Sequence, residues 1–205
     1  MSIRSCVVSQ FKRPSGPLGH VVGWIMQARG SNRERTLWTV GLLDVEPDDR
    51  ILEFGCGPGL GVEACAAQLK GGVVTGLDHS QTMIVQATRR NRDAVAAGRV
   101  RLRFGGVDCL AETEGSFTKV FSANVVQFIQ DKAALFDSLL RLLAPGGTVA
   151  TTYQPRHKNP TRADAFAMAE EIERAMRDAG FTAIRIEERA LKPVSAICVL
   201  GQRPY

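Results

Sequence analysis

From Arg50 onward the chain alternates short apolar runs with longer stretches whose apolar positions recur at helical spacing. Ile51-Leu52-Glu53-Phe54 predicts a strand, followed by a glycine-rich turn. The next helix runs to about Lys70, with Val62, Cys65, Ala66 and Leu69 on one face and Gly71-Gly72 as its stop. Residues 73–77 predict a second strand. Ser80 is a good N-cap for a helix to Ala97, which Gly98 ends. Residues 100–104 and 119–122 read as the third and fourth strands. Asp131 can cap a helix through Leu143, broken by Ala144-Pro145-Gly146-Gly147 before a fifth strand at 148–153. Residues 164–179 are strongly helical, with Ala165, Met168, Ile172 and Met176 on one face. Two strands, 183–188 and 195–200, close the pattern.

Such alternation predicts an α/β fold: a doubly wound, mostly parallel seven-stranded sheet with helices on both faces. Residues 189–194 are too few for a parallel crossover, which needs about a dozen, so the last pair should be an antiparallel C-terminal hairpin. Ahead of the sheet, residues 21–43 have the spacing of one or two helices, with a break expected at Gly30-Ser31-Asn32. The organisation expected is an N-terminal helical lid or lead-in, 1–43, on a Rossmann-like domain, 44–205.

Composition narrows the class. In 205 residues, 44% are hydrophobic and 23% charged, the balance of a globular protein rather than a disordered or fibrous one. No apolar run approaches the roughly 20 residues of a membrane span. The apolar stretch Val21-Val22-Gly23-Trp24-Ile25-Met26 is too short and too deep for a signal peptide, so a cytoplasmic location is expected. Five cysteines without paired spacing, and three scattered histidines, predict reduced thiols and no metal centre. The net charge of +5 lies wholly in residues 1–36, where Arg4, Lys12, Arg13, Arg29, Arg33 and Arg35 face only Glu34. A solvated arm, an acidic substrate, an anionic membrane surface or nucleic acid would each suit that bias.

The sharpest motif is Glu53-Phe54-Gly55-Cys56-Gly57-Pro58-Gly59, between a strand and a helix, where open α/β sheets bind ligands. It departs from the dinucleotide pattern G-x-G-x-x-G, because the third glycine falls on Leu60 or Val62. Glu53 would repel a pyrophosphate and favour an ammonium or sulfonium group. Asp78 ends the second strand, placed to accept the hydroxyls of a ribose. Met83, one turn into the following helix, suits an adenine face or ordinary core packing. Asp108, in Gly106-Val107-Asp108-Cys109, suits an adenine amino group or a loop cap.

These segments, in this order, resemble the class I S-adenosylmethionine-dependent methyltransferases, and within them the small-molecule ubiquinone/menaquinone type, methyltransferase type 11. Phe121-Ser122-Ala123-Asn124-Val125-Val126-Gln127-Phe128 is similar to the family's fourth-strand segment, Leu143-Ala144-Pro145-Gly146-Gly147-Thr148 to its turn before the fifth strand, and Ala179-Gly180-Phe181 to its lead into the final hairpin. The resemblance spans about residues 42–201. It implies S-adenosyl-L-methionine as donor and S-adenosyl-L-homocysteine as product. Glu53, Gly55, Cys56, Gly57 and Gly59 would hold the amino-acid end and Asp78 the ribose. His79 and Met83 would flank the adenine, Asp108 and Cys109 would lie at its edge, and Asn124 near the methionine moiety. Asn124-Val125-Val126-Gln127 departs from the Asn/Asp-Pro-Pro-aromatic signature of nucleobase amino methyltransferases, which speaks against a nucleic-acid acceptor.

A small, partly apolar acceptor with an oxygen, nitrogen or carbon nucleophile is the expectation, and the basic groups near Arg29 to Arg35 and Arg156 to Lys158 leave room for an anionic one. Holding nucleophile, methyl and sulfur in line does much of the catalysis. His20, Tyr153 and His157 are the candidate bases if the nucleophile must lose a proton. Trp24, Met26 and Phe128 are candidates for an apolar wall. Competing readings are a non-catalytic nucleoside-binding or interaction module of the same fold and, less well supported, a nicotinamide-dependent oxidoreductase. The pattern leaves a homodimer open and shows no residue that requires one.

Overall fold

The computed structural model describes residues 30–110 and 115–205. Helix α1 (Gly30–Leu42) precedes β1 (Arg50–Phe54), α2 (Leu60–Ala66) and β2 (Val73–Asp78). Helices α3 (Gln81–Arg90) and α4 (Arg92–Ala96) lead to β3 (Val100–Phe104) and then β4 (Phe117–Ala123). Helix α5 (Lys132–Leu142), β5 (Leu143–Tyr153), α6 (Arg162–Ala179), β6 (Thr182–Arg189) and β7 (Ala196–Gln202) complete the order.

The seven strands lie in the order β3-β2-β1-β4-β5-β7-β6. β1 to β5 are parallel to their neighbours, and β7 runs antiparallel to both β5 and β6. The short connection before β7 forces this reversal. Strand order changes direction at β1 and β4, and the crevice beyond their carboxyl ends is where such sheets bind ligands.

Alternation along the central strands sends side chains into two cores. Leu52, Phe54, Val120 and Val149 face α5 and α6, packing with Phe136, Leu139, Ile172 and Met176. Ile51, Phe121 and Ala150 face the other way, toward Val40, Leu43, Val62, Cys65 and Ile84. Helix α1 is therefore part of the second core, although it precedes the sheet in sequence. The remainder of the expected lead-in, residues 1–29, lies outside the described residues.

Four local differences have physical causes. The break expected at Gly30-Ser31-Asn32 is the first turn of α1, whose Ser31 and Asn32 side chains pair with Arg156 and with both Arg35 and Arg156, respectively. Helix α2 stops at Ala66 instead of Lys70, because the Pro47 carbonyl accepts the N–H groups of Lys70, Gly71 and Gly72 at 2.8, 3.2 and 3.0 Å. The helix expected over 81–97 divides at Asn91, whose amide donates to Gly59 O at 3.1 Å and Ala87 O at 2.9 Å. Strand β5 begins before the expected Thr148: Leu143 pairs with Phe117 and Thr148 with Lys119, so Ala144 to Gly147 bulge from a continuing strand.

Candidate functional site

The turn after β1 is built around three glycines at positive φ: Gly55 at 68°, Gly57 at 51° and Gly59 at 82°. A side chain at Gly55 would strike Val125, and one at Gly59 would come within 2.8 Å of the Ala87 Cβ. At Gly57 an added Cβ would meet nothing within 4 Å, so this backbone faces open space. The turn is thus locked from behind on both sides and bare in the middle, the form that allows close approach of a ligand to main chain.

Glu53 points beneath the turn into the start of α2, where it accepts the Val62 N–H. Its carboxylate lies against Gly61, where any side chain would collide with it. Burial and the nearby Asp78 push its carboxyl well above the usual range, against the Val62 hydrogen bond. Among the described residues its Oε2 has no hydrogen-bond partner. A buried carboxylate oxygen without a donor is costly unless a ligand supplies one.

Asp78 closes the other side of the turn. Its Oδ2 accepts the Gly57 N–H and its Oδ1 the Ser80 N–H, both at 2.8 Å. Burial raises its carboxyl, opposed by those two hydrogen bonds and by His79. The Asp78 carbonyl accepts the Gly105 N–H at 3.0 Å, tying the end of β3 alongside. His79, Asp108 and Cys109 are exposed at this rim, the last two on a short turn, Val107–Cys109. Met83, expected at an adenine face, is only 2% exposed. Cys56 is buried, and burial followed by Glu53 and Asp78 raises its thiol far from ionisation.

The structure places Asn124 at positive φ, 58°, just past β4. Its side chain is a clip: Nδ2 donates to Gln154 O at 2.9 Å and Oδ1 accepts the Gln154 N–H at 2.7 Å. Gln154 was invisible in the sequence as more than a loop residue. Its Oε1 accepts from Arg35 Nη1 at 3.1 Å and Arg156 Nη2 at 2.7 Å. Its Nε2 donates to Lys192 O at 3.2 Å and Val194 O at 2.7 Å. Nothing local in the sequence marks these contacts, and the one with Arg35 joins residues 119 apart.

The candidate bases fall differently. Tyr153 lies in the α5–α6 core, its phenol raised by burial and by Asp164. His157 is exposed, with Nε2 at 3.4 Å from Asp164 Oδ2. Both therefore gather near Asp164, which also caps α6. His20, Trp24 and Met26 lie outside the described residues, and Phe128 is 45% exposed past β4. Ser31, Arg156, His157, Lys192 and Pro193 line a cleft of about 640 Å³. Among the described residues, no three potential metal ligands gather and no helix is long and apolar enough to cross a membrane.

Residues 51–147 match the family described as a methyltransferase domain. The chain is 29% identical over 184 residues to the uncharacterized methyltransferase YdaC of Bacillus subtilis, covering 90% of this chain and 98% of that one. It is 34% identical over 153 residues to the trans-aconitate 2-methyltransferase of Rhizobium meliloti, covering 73% of this chain and 56%, about half, of that enzyme. Its fold is similar to phosphoethanolamine N-methyltransferase 2 of Haemonchus contortus, solved with phosphomonomethylethanolamine and S-adenosylhomocysteine: TM-score 0.68, 20% identity, 84% of this chain and 53% of that one. It is equally similar in fold to the [4+2]-cyclase SpnF, with TM-score 0.69, 16% identity and coverage of 84% and 82%.

Proposed function

We propose, from the match of residues 51–147 to the methyltransferase-domain family, that the chain transfers the methyl group of S-adenosylmethionine to a small-molecule acceptor. The observation that carries the reading is the Glu53 carboxylate, buried with one oxygen lacking a donor beneath a glycine turn whose centre is bare. An α-amino group supplies the missing donors and the positive charge. A nicotinamide dinucleotide would instead bring phosphates to an acid.

Each residue takes a role from its placement. Backbone at Gly55, Cys56, Gly57 and Gly59, with that at Asn124, would receive the amino-acid end of the donor. Asp78 has both oxygens engaged by main-chain N–H groups, and each keeps a lone pair for a ribose hydroxyl. His79, Asp108 and Cys109 would border the base, with Met83 packed beneath. The donor's sulfonium supplies an electrophilic methyl group to an in-line nucleophile. The chain's contribution is to hold the partners collinear and dry. His157, which lines the cleft beside Arg156, would take a proton where the acceptor must lose one.

The fold is shared with a cyclase, so donor binding is the deciding test. Calorimetric titration of the purified, ligand-free chain with S-adenosylhomocysteine should give micromolar affinity. Asp78→Ala should weaken it by about 1.5–3 kcal/mol through loss of charge-assisted hydrogen bonds. A folded wild-type chain that takes up no S-adenosylhomocysteine overturns the reading. The relatives' names offer trans-aconitate and phosphoethanolamine as first acceptors to try, both anionic.

A further inference from the structure

Two guanidinium groups converge at the carboxyl end of β5. Arg35, from α1, is 5% exposed. It donates to the Gln154 Oε1 and, through Nη2, to the Asn32 Oδ1 at 3.1 Å. Arg156 donates from Nη2 to the same two oxygens, at 2.7 and 3.1 Å, and to Ser31 Oγ at 3.0 Å. All of these acceptors are neutral.

A buried cation without a counter-charge is costly. The cost shows in Arg35, whose guanidinium is lowered to about 9 by burial and then by Arg156. Its Nε–H has no acceptor among the described residues. Arg156 also lines the ≈ 640 Å³ cleft, together with Lys192, His157 and Ser31. That volume suits a small molecule. The cleft adjoins the proposed donor site through one residue, since the Gln154 main chain is clipped to Asn124 past β4.

We infer that Arg35 and Arg156 form the anion-holding half of the acceptor site, and that the acceptor carries an oxyanion, carboxylate or phosphate. Guanidinium forks match both groups geometrically. Arg156 and Lys192 make the direct approach from the cleft, and Arg35 adds charge from behind. This assignment rests on the methyl-transfer reading for the word acceptor, but the anion site stands on its own contacts.

The test is calorimetry on the full chain saturated with S-adenosylhomocysteine, titrated separately with inorganic phosphate and with succinate. Potassium chloride at matched ionic strength is the reference. At least one oxyanion should bind saturably, and the arm that binds identifies phosphate or carboxylate. Arg156→Gln should weaken that binding at least about tenfold while leaving S-adenosylhomocysteine affinity within about twofold. Arg156→Lys should recover part of it. Saturable binding by neither oxyanion, or equal binding in Arg156→Gln, overturns the inference. A merely structural clip would lower the variant's melting temperature and leave the anion affinity unmoved. If S-adenosylhomocysteine itself fails to bind, the donor reading falls, and the same titrations on the unliganded chain still decide the arginine pair.

Discussion

At the scale of single residues, the proposed role of Glu53 predicts that protonation is coupled to donor binding. Its carboxyl is raised by burial, so in the empty protein it favours the neutral form. Its contribution to stability is full below the ordinary carboxylate pKa and is lost as pH rises through the raised one. A bound ammonium group reverses that preference. S-adenosylhomocysteine affinity should therefore increase with pH across the Glu53 titration. Binding below it should release protons, seen as a dependence of calorimetric heat on buffer ionisation enthalpy. In Glu53→Gln the proton release should vanish and the affinity fall about tenfold. A wild-type affinity flat with pH would count against the role. Glu53 and Asp78 were legible because one stands two residues before the glycine turn and the other ends the second predicted strand. Gln154 was not, because its importance lies in contacts with α1 that the topology creates, and Arg156 was legible as a basic group suited to an anionic acceptor but not as a neighbour of Arg35. Arg35 was legible as a charge and not as a buried one.

At the scale of elements, periodicity located every strand, and hydrogen bonds from outside the pattern moved the boundaries. Pro47 ended α2 early, and Asn91 divided the helix that follows Ser80. The N-terminus of α6 has a capping box that the sequence pattern did not single out. Thr161 Oγ1 accepts the Asp164 N–H at 3.2 Å, and the Asp164 Oδ2 accepts the Thr161 N–H at 2.7 Å. Thr161→Ala should cost about 1 kcal/mol, measured as a lower urea midpoint at unchanged slope. His157 leans on the same Asp164, so this cap also steadies one wall of the cleft.

At the scale of the whole molecule, one sheet shared by two cores predicts a single cooperative unfolding transition, with the proposed donor site at the meeting of β1, β2 and β4. Saturation with S-adenosylhomocysteine at about a hundred times Kd should add about 2.7 kcal/mol of stability. For a chain of this length that is a rise of about 5–10 °C in Tm, read by scanning calorimetry. Both edge strands carry charge, Arg101 and Arg103 on β3 and Arg185, Glu187, Glu188 and Arg189 on β6, which discourages edge-to-edge pairing. The position between the two arginines is governed from still further away. The carbonyls of Lys192 and Val194, on the hairpin before β7, both accept from the side-chain amide nitrogen of Gln154. A glutamate there would neutralise the arginines but set its oxygens against those carbonyls. The hairpin before β7, the strand beside β5, therefore favours an uncharged residue 154, and the neutral oxygen that the two arginines share there is a by-product of how the hairpin closes.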